Sequence, residues 1–146
     1  TSYYKMKKIL IVSSNYYKDI TKNLILNSKS KLISSNFNTE ILEVPGVHEI
    51  PIAIRKNIKK FDGFIALGCV IKGQTPHFDL ICFSTFNAIM NLAINFNKPI
   101  GNGIITALNL NQARQRSLKK SSKRPNKGLE AANAVISIFK NGPKKI

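Results

Sequence analysis

Only two histidines occur in the 146 residues, and each stands where a strand-like run passes into a helical pattern. His77 belongs to Gly68-Cys69-Val70-Ile71-Lys72-Gly73-Gln74-Thr75-Pro76-His77-Phe78-Asp79, an aliphatic run that ends in a glycine-containing turn before an apolar periodic stretch. Free backbone N–H groups around Gly73 to Thr75, with a helix N-terminus behind them, suit a phosphate. A histidine beside that anion suits proton transfer as a general acid or base. Capping or plain solvation is the commoner use of a histidine at a helix start, so both readings stand at this point. His48 belongs to Val44-Pro45-Gly46-Val47-His48-Glu49-Ile50-Pro51, a second strand end turning into a helix. Amides of that turn suit the polar edge of a heterocycle, and Glu49 suits N–H or O–H donors; equally, a glutamate in a first turn complements the helix dipole. There is no Cys/His/Asp/Glu cluster with metal-ligand spacing. G-x-G-x-x-G, a Walker loop and a nucleophile-elbow serine are also missing.

The elements that must position these residues follow from periodicity. Lys8 to Ser13, Thr39 to Val44, Asp62 to Ile71 and Pro99 to Thr106 read as strands; the third is apolar on both faces, as a covered central strand is. Between them lie helical stretches: Ile20 to Ile33, about His48 to Lys60 with Pro51 in its first turn, and Phe78 to Ile94, apolar at 78, 81, 82, 86, 89 and 93. Asn109 can cap a further helix, with Gln112 as its capping-box partner. Leu129, Ala132, Ile136 and Phe139 form the face of a last helix, stopped at Asn141-Gly142-Pro143. The alternation is that of an α/β protein, an open, mainly parallel four-stranded sheet between helix layers. It reads as one domain over 1–146, with Thr1 to Lys5 as an extension or tag remnant before Met6. Ligands of such sheets bind at the carboxyl ends of the strands, which singles out Ser14 to Asp19, Pro45 to Glu49, Gly68 to His77 and Thr106 to Asn109.

Composition bounds the rest. Apolar residues make up 43%, ordinary for a globular protein. The sequence shows no continuous apolar run near the 18 or so residues of a bilayer span, and the apolar stretch ending at Val12 meets Ser13-Ser14-Asn15 rather than a signal-cleavage site. Cys69 and Cys82 each lie in an apolar segment and read as buried free thiols, which points to the cytoplasm. The net charge of +16 favours polyanions or phosphorylated metabolites, although codon bias toward Lys, Asn and Ile accounts for it as well.

Three strings carry a resemblance to a known family. LGCVIKGQTPHFD resembles the signature of lumazine synthases, LG-x-V-I-(R/K)-G-x-T-x-H-(F/Y)-D. EVPGVHEIP is similar to the family's PG-x-x-E-(I/L)-P turn, and PNKGLEAANAVI to its NKG-x-E-A-A helix start, in family order from about Lys8 to Phe139. The resemblance implies a three-layer α/β/α sandwich of flavodoxin-like kind. The implied reaction condenses 5-amino-6-ribitylaminouracil with 3,4-dihydroxy-2-butanone 4-phosphate, releasing phosphate and water without metal or organic cofactor. It also implies roles. His77 matches the proton-transfer histidine and Arg116 the arginine that pairs with the phosphate. Gly46, Val47, His48 and Glu49 match the part holding uracil and ribityl chain, beside the strand end Cys69, Val70 and Ile71. Gln74 and Thr75 match the phosphate loop, Lys127 a further phosphate contact, and Tyr16 or its neighbour Tyr17 the aromatic that stacks on the pyrimidine. Active sites of the family lie between subunits of a homopentamer, with Asn102 and Arg116 coming from one chain and the rest from the next.

The chain departs from the family pattern at His48, where a large apolar residue is frequent, and at Asn102, where some members place an aromatic. The interval from Arg116 to Lys127 is about three residues longer than in compact members. The rival reading is a basic binding protein using Arg114 to Arg124 against nucleic acid backbone; with no interleaved aromatics, such binding would be nonspecific. A non-catalytic lumazine- or flavin-binding relative would not need His77, Glu49 and Arg116 together.

Overall fold

The computed structural model describes residues 5–118 and 126–146. Thr1 to Tyr4 of the expected extension and most of the basic run, 119–125, lie outside the described residues. Four parallel strands, β1 (Lys8–Ser14), β2 (Asn38–Val44), β3 (Gly63–Ile71) and β4 (Ile100–Ala107), form one sheet in the order β2-β1-β3-β4. Among the described residues five helices cover it: α1 (Lys18–Ser34), α2 (Ile50–Lys56), α3 (His77–Phe96), α4 (Leu110–Ser117) and α5 (Lys127–Lys140). The expected flavodoxin-like sandwich is the one observed.

Strand order and handedness together distribute the helices. Right-handed crossovers send the β1-to-β2 connection over one face, and the β2-to-β3 and β3-to-β4 connections over the other. Alternating side chains of the sheet accordingly feed two cores. Ile9, Ile11, Ile65, Leu67 and Ile105 meet Ile20, Leu24 and Leu32 of α1 and Ala131, Ala132 and Val135 of α5. Leu10, Val12, Phe64, Ala66 and Ile104 meet Ile50 and Ile54 of α2 and Ile89 of α3. The crossovers reverse between β1 and β3, so the carboxyl ends of those two strands diverge into a crevice.

Three elements differ from the sequence reading. The helix expected over about His48 to Lys60 is a 3₁₀ turn, Val47–Glu49, followed by the short α2, in which Pro51 does occupy the first turn. The face expected for α5 is rotated toward smaller residues: Gly128, Ala131, Ala132 and Val135 are buried, while Ile136 and Phe139 sit at the margin. The cause lies in β4, where a Cβ on Gly101 would come within 2.3 Å of the Ala131 carbonyl oxygen, so only glycine allows the helix backbone this close. Asn109 caps α4 as expected, accepting from the Gln112 N–H at 2.9 Å, but the Gln112 side chain reaches back one residue further than expected, to the Leu108 N–H at 3.0 Å.

The third difference is α3. Its 20 residues include a window of mean hydropathy 1.2, long and apolar enough for a bilayer span by length and composition, which no continuous run in the sequence had suggested. Only Thr85 and Ile89 are fully buried. Ile81 and Phe86 pack on the sheet as expected, whereas Leu80, Phe83, Met90 and Ile94 form a second apolar face, each 60–74% exposed.

Candidate active site

The crevice between β1 and β3 opens into a cleft of about 460 Å³. Its walls come from three strand ends and one helix start: Ser14, Tyr16 and Tyr17 after β1, Gly46 to His48 after β2, Cys69 to Ile71 at the end of β3, and His77 with Ile81 on α3. Three of the four segments singled out by topology therefore converge. Gly68 makes the convergence possible, since a Cβ there would fall 2.5 Å from Val47 Cγ1 and 2.7 Å from Ser14 Oγ.

Tyr16 is 75% exposed and stands edge-on to Tyr17, ring centroids 4.9 Å apart, which leaves the Tyr16 ring free for a planar ligand. His77 opens α3 and is exposed; Pro76 at the cap position makes no side-chain cap bond, so the first amides point outward with the positive end of the helix dipole. Lys72, Gly73, Gln74 and Thr75 lead into it, all exposed. Burial pushes the Cys69 thiol up to about 11, with Asp19 adding to the shift, and burial and Asp79 raise Cys82. Both thiols are free, Cys69 buried as expected and Cys82 only half so. At pH 8 about one Cys69 in a thousand is then thiolate, so alkylation by iodoacetamide should be roughly a hundredfold slower than for an ordinary thiol. Its rate should rise about tenfold per pH unit toward pH 11; a rate already at its plateau at pH 8 would contradict the shift.

The remaining expected residues lie elsewhere. Asn102, Arg116 and Lys127 line a separate cleft of about 360 Å³ that wraps the edge strand β4, together with Phe86, Ile104 to Thr106 and Glu130. Arg116 Nη1 donates to the Thr106 carbonyl at 2.7 Å, Lys127 pairs with Glu130 at 3.3 Å, and Asn102 Oδ1 accepts from the Ile104 N–H at 3.0 Å. The Thr106 end of β4, the fourth topological segment, thus feeds the second cleft. No residue is common to the two clefts. Glu49 is half-buried with Oε1 turned toward Gly46, and neither it nor Gln74 and Thr75 lines either cleft. Sequence reasoning missed Ile81, Phe86, Ile104, Ile105 and Glu130. Ser14 and Thr106 fall inside the segments that topology had singled out, because each sits at a carboxyl strand end.

A parallel sheet whose cleft opens at its switch point, with Tyr16, Tyr17, His48 and His77 on its walls, is of the α/β class that binds ligands at the carboxyl ends of its strands. A family model described as 6,7-dimethyl-8-ribityllumazine synthase matches residues 6–141. Relatives carrying that name include those of Afipia carboxidovorans (36% identical over 91% of this chain and 84% of the relative). Those of Bartonella bacilliformis (36%, 90% of each) and Campylobacter jejuni (36%, 90% and 87%) match similarly. The chain belongs to the 6,7-dimethyl-8-ribityllumazine synthase family.

Proposed function

We infer that the chain forms 6,7-dimethyl-8-ribityllumazine from 5-amino-6-ribitylaminouracil and 3,4-dihydroxy-2-butanone 4-phosphate, a transferase step of riboflavin biosynthesis in the cytoplasm. The observation that carries the arrangement of the site is the division of its groups between two clefts of one chain. The pyrimidine lies on Tyr16 in the first cleft, against Cys69, Val70 and Ile71, with the turn Gly46 to Glu49 holding its edge and the ribityl chain. The phosphate of the second substrate sits at Gln74 and Thr75, before the uncapped start of α3. Arg116, Lys127 and Asn102 of a neighbouring subunit close over it.

The chemistry is proton management. The amine adds to the ketone, loss of water gives an imine, phosphate leaves, and ring closure releases a second water. His77 carries protons between these steps. Arg116, anchored by one nitrogen on Thr106, keeps its remaining donors for the leaving phosphate and stabilises the charge it develops. A homopentamer brings the clefts together, and the open face of α3 supplies the apolar surface that such an interface buries.

The test is complementation. His77→Ala and Arg116→Ala are each expected to be nearly inactive by lumazine fluorescence. Co-assembled in equal amounts they should regain about a quarter of the parent rate, because each interface draws its halves independently. A mixture no faster than the two variants apart would refute the shared site. A parent chain that makes no lumazine above the spontaneous background would refute the activity.

A further inference from the structure

A second concave site lies at the opposite end of the sheet, at the amino ends of β1 and β3. Lys5, Met6, Lys7 and Lys8 enter it ahead of and at the start of β1, Lys59 to Asp62 precede β3, and Lys98 precedes β4. Six lysines and one aspartate thus line a cleft of about 300 Å³. That carboxylate is already engaged, Asp62 Oδ2 accepting from the Lys8 backbone N–H at 2.7 Å. Lys98 Nζ is committed to the Ile58 and Phe61 carbonyls, the second at 2.8 Å, and builds the floor rather than reaching outward. Lys7 Nζ stands 5.8 Å from the centre of the Phe139 ring. Neither ion pair among the described residues, Arg114–Asp19 nor Lys127–Glu130, involves Lys5, Lys8, Lys59 or Lys60.

We propose that this lysine cleft binds an oligophosphate, an anion with two or more linked phosphoryl groups. Like charges gathered in a concavity repel one another and focus an attractive potential for an anion. Lysine meets phosphate as a compact point charge with three donors on a long stem. Lysines arriving from two segments, Lys5 and Lys8 at the approach to β1 and Lys59 and Lys60 before β3, can take different phosphoryl groups of a linked chain, whereas a single orthophosphate leaves most of them unmet. The volume is at the small end of ligand pockets, which fits a metabolite rather than a polymer. The lining also has no platform for nucleobases: Phe61 is 8% exposed and Met6 is the other apolar side chain there. The substrate clefts lie at the carboxyl ends of the strands, so this site is independent of the catalytic reading.

The experiment is calorimetric titration of tripolyphosphate into the intact protein at low salt. Saturating orthophosphate is present to fill single-phosphate sites. One tripolyphosphate per chain is expected. Lys59→Gln combined with Lys60→Gln should weaken it about tenfold, while the charge-matched pair Lys22→Gln and Lys29→Gln on the exposed face of α1 should change it less than about twofold. Circular dichroism is the check that both variants keep the parent fold, as expected for exposed side chains. Equal weakening by the two pairs would mean diffuse attraction to a +16 chain and would overturn the site. So would failure of tripolyphosphate to bind above the orthophosphate background.

Discussion

Replacing His77 with alanine should lower kcat for lumazine formation by about a hundredfold or more, the usual worth of a positioned proton carrier, with KM for either substrate little changed. The side chain lines the cleft and is exposed at the first position of α3, where truncation removes no buried contact. A loss of rate would therefore report chemistry and not folding. His48 is the natural control, because it lines the same cleft on the turn after β2. His48→Ala should act mainly on KM for the pyrimidine. If His48→Ala depressed kcat as far as His77→Ala does, or if His77→Ala kept the parent kcat, the proton carrier would have been assigned to the wrong side chain. Steady-state fluorescence with each substrate varied in turn decides between these outcomes.

Gly128→Ala should unfold earlier than the parent, against the ordinary rule. Alanine is better than glycine in a helix by about 1 kcal/mol. In the first turn of α5, however, a Cβ would stand 2.3 Å from the Leu24 carbonyl oxygen and 3.0 Å from its Cα, and backbone cannot swing away as a side-chain tip can. The same crossing holds the bond from Ser28 Oγ to the Gly128 carbonyl at 2.8 Å, so moving the helix outward breaks a buried hydrogen bond as well. The net cost is about 3 kcal/mol, roughly 8 °C in melting temperature. Gly142→Ala, with open space around the new methyl, should melt with the parent. A Gly128→Ala chain as stable as the parent would show that α1 and α5 approach less closely than described.

Much of this architecture was legible because the signals are local. Pro51 in a first turn, Asn109 as a cap and the doubly apolar run ending at Ile71 each fix an element without reference to the rest of the chain. Hydrophobicity misplaced the buried face of α5, because the contact is made by small residues: Gly101 opposite Ala131 weighs almost nothing on an apolar scale, yet sets how near the helix lies. The length of α2 was overestimated because Ile58 is indeed buried, but from the turn that follows the helix. At the site, the residues near β1, β2 and β3 could be gathered from topology alone. Their separation from Arg116 and Lys127 could not, since it depends on which side of the edge strand β4 each group emerges. Motif resemblance supplied the roles and implied a division that sets Asn102 and Arg116 apart; geometry added Lys127 to their cleft.

The exposed apolar face of α3 gives the newly folded chain a problem of timing. Leu80, Phe83, Met90 and Ile94 are exposed in the single chain, and in the homopentamer proposed above they would face water from the moment the helix docks until other copies arrived. Apolar surface exposed for such an interval is what chaperones bind and what aggregates grow from. The delay shortens as copies accumulate. A cell making very little of this protein therefore risks losing a larger share of it than a cell making much, and synthesis in bursts from one messenger would serve it better than the same total released steadily.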